Sequence, residues 1–482
     1  MSISKKLEPK RVFHYFQEIS KIPRCTYDEE NISNYIKSVG ERLGLETIQD
    51  DALNVIIRKP ATPGYENSPG VIIQGHMDMV CEKESDSDHD FKKDPIKLIV
   101  DGDYIKADKT TLGADNGIAV AMGLALLEDN TLEHPSIELL VTSSEEVEMD
   151  GAFGLSKDVL KGTRLINVDT EEEGVLVTGS AGGELVEVEI PVEYEEVKDL
   201  IGFTIEVKGL KGGHSGMEIH KARGNSNKII NEVLKSIREI VDLKLISIEG
   251  GTKDNAIPRS STVHIGIKSS ELSLFMDEFD KVKDNIIQRK KEKEPNIDII
   301  IEKTEEVSNC ISSDALNSLI LLIESLPTGV FTMIPGDEDI VESSSNLAIV
   351  NTEKDKITIQ ISTRSSSEKT LLELREKIIA QVKKTNGKYT VGNSYPHWEY
   401  NPKSELRDVA LKVYKKMFNK DMETTVIHAG LECGVLAEKY PNLDIISVGP
   451  DMEDVHTPQE KVSISSIKRV YDYLVELLKE LK

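Results

Sequence analysis

The chain is poor in three things, and each shortage excludes a class. No apolar run reaches the ~20 residues of a membrane span, and the opening M-S-I-S-K-K-L-E-P-K lacks the apolar core of a secretion signal. Membrane insertion is set aside, and a soluble, cytoplasmic protein is expected. Basic residues are in deficit, 59 Lys+Arg against 85 Asp+Glu, for a formal net charge of -26. Such a surface repels polyphosphates, so nucleic acid is not expected as a partner. Cysteine is scarce: Cys25, Cys81, Cys310 and Cys433 are scattered without paired spacing. Neither a disulfide framework nor a thiolate zinc knuckle is expected, and any metal would have to use nitrogen and oxygen ligands.

What is present begins with length. At 482 residues the chain exceeds a single core and predicts two or three domains of a large α/β protein. From Val71 to Lys83 it reads V-I-I-Q-G-H-M-D-M-V-C-E-K. A β-branched run enters Gly75, and the period of two puts His76 and Asp78 on one face. A strand end thus delivers an imidazole that can hold a metal and a carboxylate that can orient its ring. With ten histidines in the chain, the triplet alone reads as a polar strand end with one satisfied histidine; what overturns that reading is that three further strand or helix ends repeat the design.

In T-T-L-G-A-D-N-G-I-A-V-A-M-G-L-A-L-L-E-D the stretch from Gly117 to Leu127 is apolar all round, as in a buried helix, so Asp115 and Asn116 stand at its N-terminus. Helix capping and metal binding are equal readings there. The strand I-E-L-L-V-T-S-S-E-E ends in two adjacent carboxylates, Glu145 and Glu146, which repel each other unless a positive charge lies beside them. R-L-I-N-V-D is a short apolar strand ending in Asp169. Ligand crevices of open α/β sheets lie outside such carboxyl ends. Composition changes after Asp169, and a domain boundary is expected near residue 187. Beyond it, strands and helices follow in β-α-β-β-α-β order, and a similar order runs from Asp314 to about Val391. The two half-similar units suggest an inserted domain able to act as a lid. α/β patterning then returns, and the loop P-D-M-E-D-V-H-T-P-Q-E brings His456 to another strand's carboxyl end.

His76, Asp115, Glu146, Asp169 and His456 form a candidate shell. Its three carboxylates and two neutral imidazoles balance two divalent cations and a bridging hydroxide. With Asp115 bridging, each ion receives that carboxylate, a further carboxylate, a histidine and the bridging water, close to the four-coordination of catalytic zinc. Glu145 is left over. A carboxylate beside the metals is what a general base needs to take the water's proton.

These motifs, G-H-M-D-M-V, G-A-D-N-G-I-A, S-S-E-E, the strand ending in Asp169, G-G-H-S-G and the His456 loop, resemble the di-zinc exopeptidase family of aminoacylases, tripeptidase T and carnosinases. H-A-G-L-E-C-G, N-A-I-P-R and G-L-K-G-G-H-S-G are most similar to its bacterial aminoacyl-histidine dipeptidases. The resemblance implies an α/β zinc-exopeptidase-like catalytic domain, residues 1–187 and 396–482, with an inserted α+β lid domain, residues 188–395, built from two ferredoxin-like halves. It implies Asp115 as the bridging ligand, Glu146 and His456 on one metal, His76 and Asp169 on the other, Asp78 steadying His76, and Glu145 as base. From the lid it implies His214 as a donor to the oxyanion and Arg364 as the grip on the substrate's terminal carboxylate, with Asn255 and Gly430 as further substrate contacts. Glu148 stands where such relatives carry glycine, either acting on the metal site or facing solvent.

The expected activity is a dipeptidase hydrolysing unblocked dipeptides, including Xaa-His and β-Ala-His, with two divalent ions per chain, zinc foremost and manganese or cobalt as alternatives. A tripeptidase, an N-acyl-amino-acid deacylase and a non-catalytic peptide-binding protein are the rival readings. The expected partner is a small peptide substrate, and the expected state a monomer or homodimer.

Overall fold

The computed structural model describes residues 7–334 and 340–482; residues 1–6, part of the polar opening read above, lie outside them. The chain divides into two compact units, residues 1–180, 398–426 and 431–482, and residues 181–397 and 427–430.

The first unit is built on an eight-stranded sheet in the order Glu46–Gln49, Val55–Lys59, Ile137–Thr142, Val71–His76, Arg164–Asn167, Asp444–Ser447, Val175–Ser180, Glu423–Ile427. Its middle is parallel: Val71–His76 pairs with both Ile137–Thr142 and Arg164–Asn167, and the latter pairs with Asp444–Ser447. All six residues of Val71–His76 and of Ile137–Thr142 are buried, as expected of strands covered on both faces. The helix Ala114–Glu128, apolar almost all round, is buried along most of its length. It comes so close to the central strand that a Cβ on Gly75 would collide with the Asn116 side chain and Ala119. A small antiparallel sheet orders Met452–Glu453, Lys461–Ser463, Tyr104–Ala107 and Leu98–Asp101, and its first two strands flank the loop of His456.

The second unit is a nine-stranded sheet with its own apolar core. Tyr194–Lys208, Lys244–Gly250, Ser261–Lys268 and Asp298–Ile311 are four strands of one ferredoxin-like half, with the helices Ser226–Arg238 and Leu272–Lys290. The other half contains Val341–Thr352, Lys356–Ser365 and Lys388–Tyr395, with the helices Ser313–Ser325 and Glu368–Val382. Its first strand is Gly182–Pro191, between Lys356–Ser365 and Lys388–Tyr395 in the sheet. The sequence tracing, which starts this half at Asp314, misses that strand because the whole other half is inserted after it. Gly329–Met333 adds an extra strand against Val341–Thr352.

The expectation of unpaired cysteines is overturned in part: Cys25 and Cys81 form a disulfide, whereas Cys310 and Cys433 are free and buried. The two partners are 56 residues apart, a spacing with no local signature, and are brought together by a bridge between Cys25 and Met79.

Candidate metal centre

The parallel strands of the first unit aim their carboxyl ends at one place. His76 ends its strand fully buried, with Nδ1 3.2 Å from Asp78 Oδ1 and Nε2 3.1 Å from Asp115 Oδ1. Nε2 also lies 3.5 Å from Asp169 Oδ1 and 3.9 Å from Glu145 Oε2. Asp78 accepts the N–H groups of Glu145 at 3.1 Å and Glu146 at 3.2 Å, and the Thr26 hydroxyl at 2.9 Å. One buried carboxylate thereby ties the His76 ring to the turn carrying both glutamates. The second oxygen of Asp115 lies 3.0 Å from His456 Nε2, which is 2.9 Å from Glu146 Oε2. Asn116 does not cap its helix. Its amide donates to Asp169 Oδ1 at 2.7 Å, and its Oδ1 accepts the His76 N–H at 3.3 Å.

Donor atoms of His76, Asp115 and Glu146 lie within 4.8 Å of one another, and every donor is nitrogen or oxygen, a set that suits zinc, manganese or cobalt. The electrostatics point the same way. Burial raises the Glu145 carboxyl well above the usual range, opposed by His76 and reinforced by Asp169 and Glu146. Burial also raises Glu146, with Asp115 adding to it. Burial by itself would lower the imidazoles, but hydrogen bonds to Asp115 and Asp169 raise His76 well above its ordinary value, and those to Asp115 and Glu146 carry His456 to about 11. Against its own burial, Asp115 is held far down by His456 and His76. So much concentrated negative charge calls for cations, and divalent ions compete with protons for the same atoms.

Two supporting residues escaped the sequence reading. Arg24 is 2% exposed and donates to the carbonyls of Met77 at 2.9 Å, Asp78 at 3.0 Å and Gly113. Glu460, also 2% exposed, accepts the N–H groups of Leu112 at 2.8 Å, Gly113 at 3.1 Å and Ala114 at 2.8 Å. Gly113 adopts φ +67°, and a Cβ there would strike Arg24 and Met79. Together they fix the backbone that presents Asp115. The nearest signal in the sequence is a carboxylate four residues after His456, and its partner Ala114 is 346 residues away. Glu148 is exposed.

The remaining sequence candidates belong to the second unit. His214 lies on the short strand Gly213–His214, paired with Ala256–Ile257, which sets it beside Asn255. Its Nδ1 accepts the N–H groups of Gly216 at 3.1 Å and Met217 at 3.0 Å, so the proton of the neutral ring sits on Nε2. Asn255 is exposed, and its carbonyl accepts the Ser215 N–H at 2.8 Å. Arg364 is 8% exposed and donates to Tyr395 Oη at 2.6 Å. A Cβ on Gly216 would collide with the His428 carbonyl and lie 3.1 Å from His214 Cε1 and 3.3 Å from Arg364 Cδ. His214, Arg364 and the segment carrying Gly430 are therefore neighbours. His428, missed in the sequence, contacts Ser344 Oγ through Nε2 at 2.7 Å; burial, then Arg364, lowers its pKa to about 3.

Imidazoles and carboxylates gathered at the carboxyl ends of parallel strands, with a spare carboxylate alongside, make up the donor set of a metal-dependent hydrolase. The chain belongs to peptidase family M20/M25/M40, whose model matches residues 72–480. It is 36% identical over 482 residues to the cytosol non-specific dipeptidase of Escherichia coli strain K12, spanning 100% of this chain and 99% of that one. The crystal structure of aminoacylhistidine dipeptidase from Vibrio alginolyticus matches with a TM-score of 0.89 at 34% identity, covering 99% of this chain and 98% of that one. Aminopeptidase PepT from Bacillus cereus ATCC 10987 matches with a TM-score of 0.57 at 16% identity, over 98% and 99% of the two chains, a likeness of fold alone.

Proposed function

We propose that this protein is a cytoplasmic, metal-dependent dipeptidase that hydrolyses unblocked dipeptides, Xaa-His and β-Ala-His among them. The observation that carries the reading is Asp115, whose two carboxylate oxygens face one imidazole each, at 3.1 Å and 3.0 Å, as a ligand bridging two ions would. Asp115 would be the shared ligand, His76 and Asp169 would hold one ion, and Glu146 and His456 the other, with zinc first and manganese or cobalt as substitutes. The names of the two full-length relatives, a non-specific dipeptidase and an aminoacylhistidine dipeptidase, support the substrate class.

Divalent ions bound there would supply Lewis acidity to the scissile carbonyl and lower the pKa of water. Glu145 takes the proton of the attacking water and returns it to the leaving amine. Asp78 keeps the His76 ring in orientation and, through the N–H of Glu145, keeps the base beside it. Arg364 binds the terminal carboxylate of the substrate. His214 donates from Nε2 to the oxyanion, and Asn255 and Gly430 are further substrate contacts.

The test is hydrolysis of Gly-His, β-Ala-His, Leu-Gly, a tripeptide and an acetyl-amino acid by chelator-stripped protein refilled with zinc, manganese or cobalt. Metal-restored cleavage of the dipeptides alone is expected. Cleavage of the tripeptide or acyl substrate instead would transfer the protein to a tripeptidase or deacylase reading, and binding without cleavage would make it a peptide-binding protein.

A further inference from the structure

Beneath the candidate ligands runs a line of buried polar side chains that the chemistry above leaves unused. Glu432 opens the helix Glu432–Lys439 and is fully buried, yet both of its hydrogen-bond partners are neutral. Its Oε2 accepts the Thr142 hydroxyl at 2.6 Å and the Gln74 amide at 2.7 Å, while Oε1 has no partner among the described residues. Gln74 Oε1 in turn accepts Asn167 Nδ2 at 2.6 Å, Asn167 Oδ1 accepts the Ser447 hydroxyl at 2.5 Å, and Ser447 Oγ lies 2.9 Å from Thr170 Oγ1. Gln74, Thr142, Asn167 and Ser447 are each no more than 1% exposed.

These residues stand on four adjacent strands of the sheet. Gln74 is two residues before His76, Thr142 three before Glu145, and Asn167 two before Asp169. Ser447 is on the strand leading to the His456 loop. Both Gln74 and Ser447 pair in register with Asn167.

Resting on the ligand assignment made above, we propose that Glu432 is a positioning residue for the metal centre: it straps the strand of His76 to the strand ending at Glu145 and Glu146, fixing the spacing of the ligands. Removing it takes from the Thr142 hydroxyl and the Gln74 amide their shortest acceptor, leaving Thr142 the Gly75 carbonyl at 3.4 Å and Gln74 the Thr142 hydroxyl at 3.2 Å, and the two strand ends keep their backbone pairing but lose the carboxylate that spans them. Burial pushes the Glu432 carboxyl up to about 8, so it is mainly the neutral acid at pH 7. A neutral acid offers one accepting oxygen and one hydroxyl, which the amide of glutamine reproduces in shape. Glutamine is therefore the conservative replacement and alanine the disruptive one.

The test compares Glu432→Ala, Glu432→Gln and Thr142→Val with wild type. Metal affinity is read by competition with a chromogenic chelator, folding by circular dichroism, and kcat and KM with metal saturating. Glu432→Ala is expected to bind metal about 10- to 100-fold more weakly, with kcat reduced and KM little changed, and Glu432→Gln to restore both. Thr142→Val removes one tie and is expected to weaken metal binding in the same direction. If Glu432→Ala does not fold, Thr142→Val decides by the same measurements. A folded alanine variant with wild-type metal affinity and kcat overturns the strap alone, as does a glutamine variant as impaired as alanine. A wild-type protein that binds no metal overturns both the strap and the ligand assignment.

Discussion

Asp78 sets two positions at once, because its carboxylate faces the His76 ring at 3.2 Å and accepts the backbone N–H groups of Glu145 and Glu146. The side chain of Glu145 is 14% exposed and 3.9 Å from His76 Nε2, close enough to serve the same centre without spending its carboxylate on the imidazole. Glu145→Gln keeps the size of the side chain and loses the proton acceptor. Turnover should fall by about 10²- to 10⁴-fold, with KM and metal affinity little changed; near-normal kcat would assign the base elsewhere. At this scale the sequence was legible where the converging side chains sit on strand ends, since period-two patterning exposes His76, Asp169 and the glutamate pair. It was silent on Arg24 and Glu460, whose contacts at the site are mainly backbone groups that folding alone gathers. It left Asn116 open between cap and site, and its contacts with Asp169 and the His76 backbone settle that it faces the centre.

Elements were legible when their hydrophobic period was complete within one segment. The buried helix Ala114–Glu128 and the central strand Val71–His76 are of that kind. The strand Gly182–Pro191 was not, because its sheet neighbours Lys356–Ser365 and Lys388–Tyr395 lie far along the chain. The same holds for the disulfide between Cys25 and Cys81. His428, in the short segment 427–430, is another such case: its surroundings come from Ser344 and Arg364. It remains neutral in the fold until about pH 3, against 6.5 for the free side chain. Between those values the unfolded chain binds the extra proton, so stability falls as pH drops, by about 1.4 kcal/mol per unit for this group. Between pH 6.5 and 5 that is about 2 kcal/mol. His428→Asn removes the titration while keeping a group able to meet Ser344. Urea midpoints at pH 7 and pH 5 should show a smaller acid loss for the variant; equal losses would mean that His428 does not stay neutral.

Over the whole molecule, the proposed ligands run from His76 to His456 and meet at one point, although each unit has its own apolar core. The acidic balance of the sequence gave no sign of how the charge is placed, since only a few of the 85 acidic residues belong to the candidate centre. Unfolding scatters the five donors, so ions bound to the folded chain have no equivalent site in the unfolded one. Each then stabilises the fold by RT ln(1 + [L]/Kd), about 4 kcal/mol at a thousandfold excess over Kd. Chelator-stripped protein should melt several degrees below protein refilled with zinc, and Asp115→Ala, which removes the ligand common to both ions, should abolish most of that difference. Calorimetry with and without added metal measures it. Superimposable melting curves for stripped and refilled wild type would show that these five side chains do not act together as an ion site, whereas a shift retained in Asp115→Ala would place the binding on the remaining donors alone.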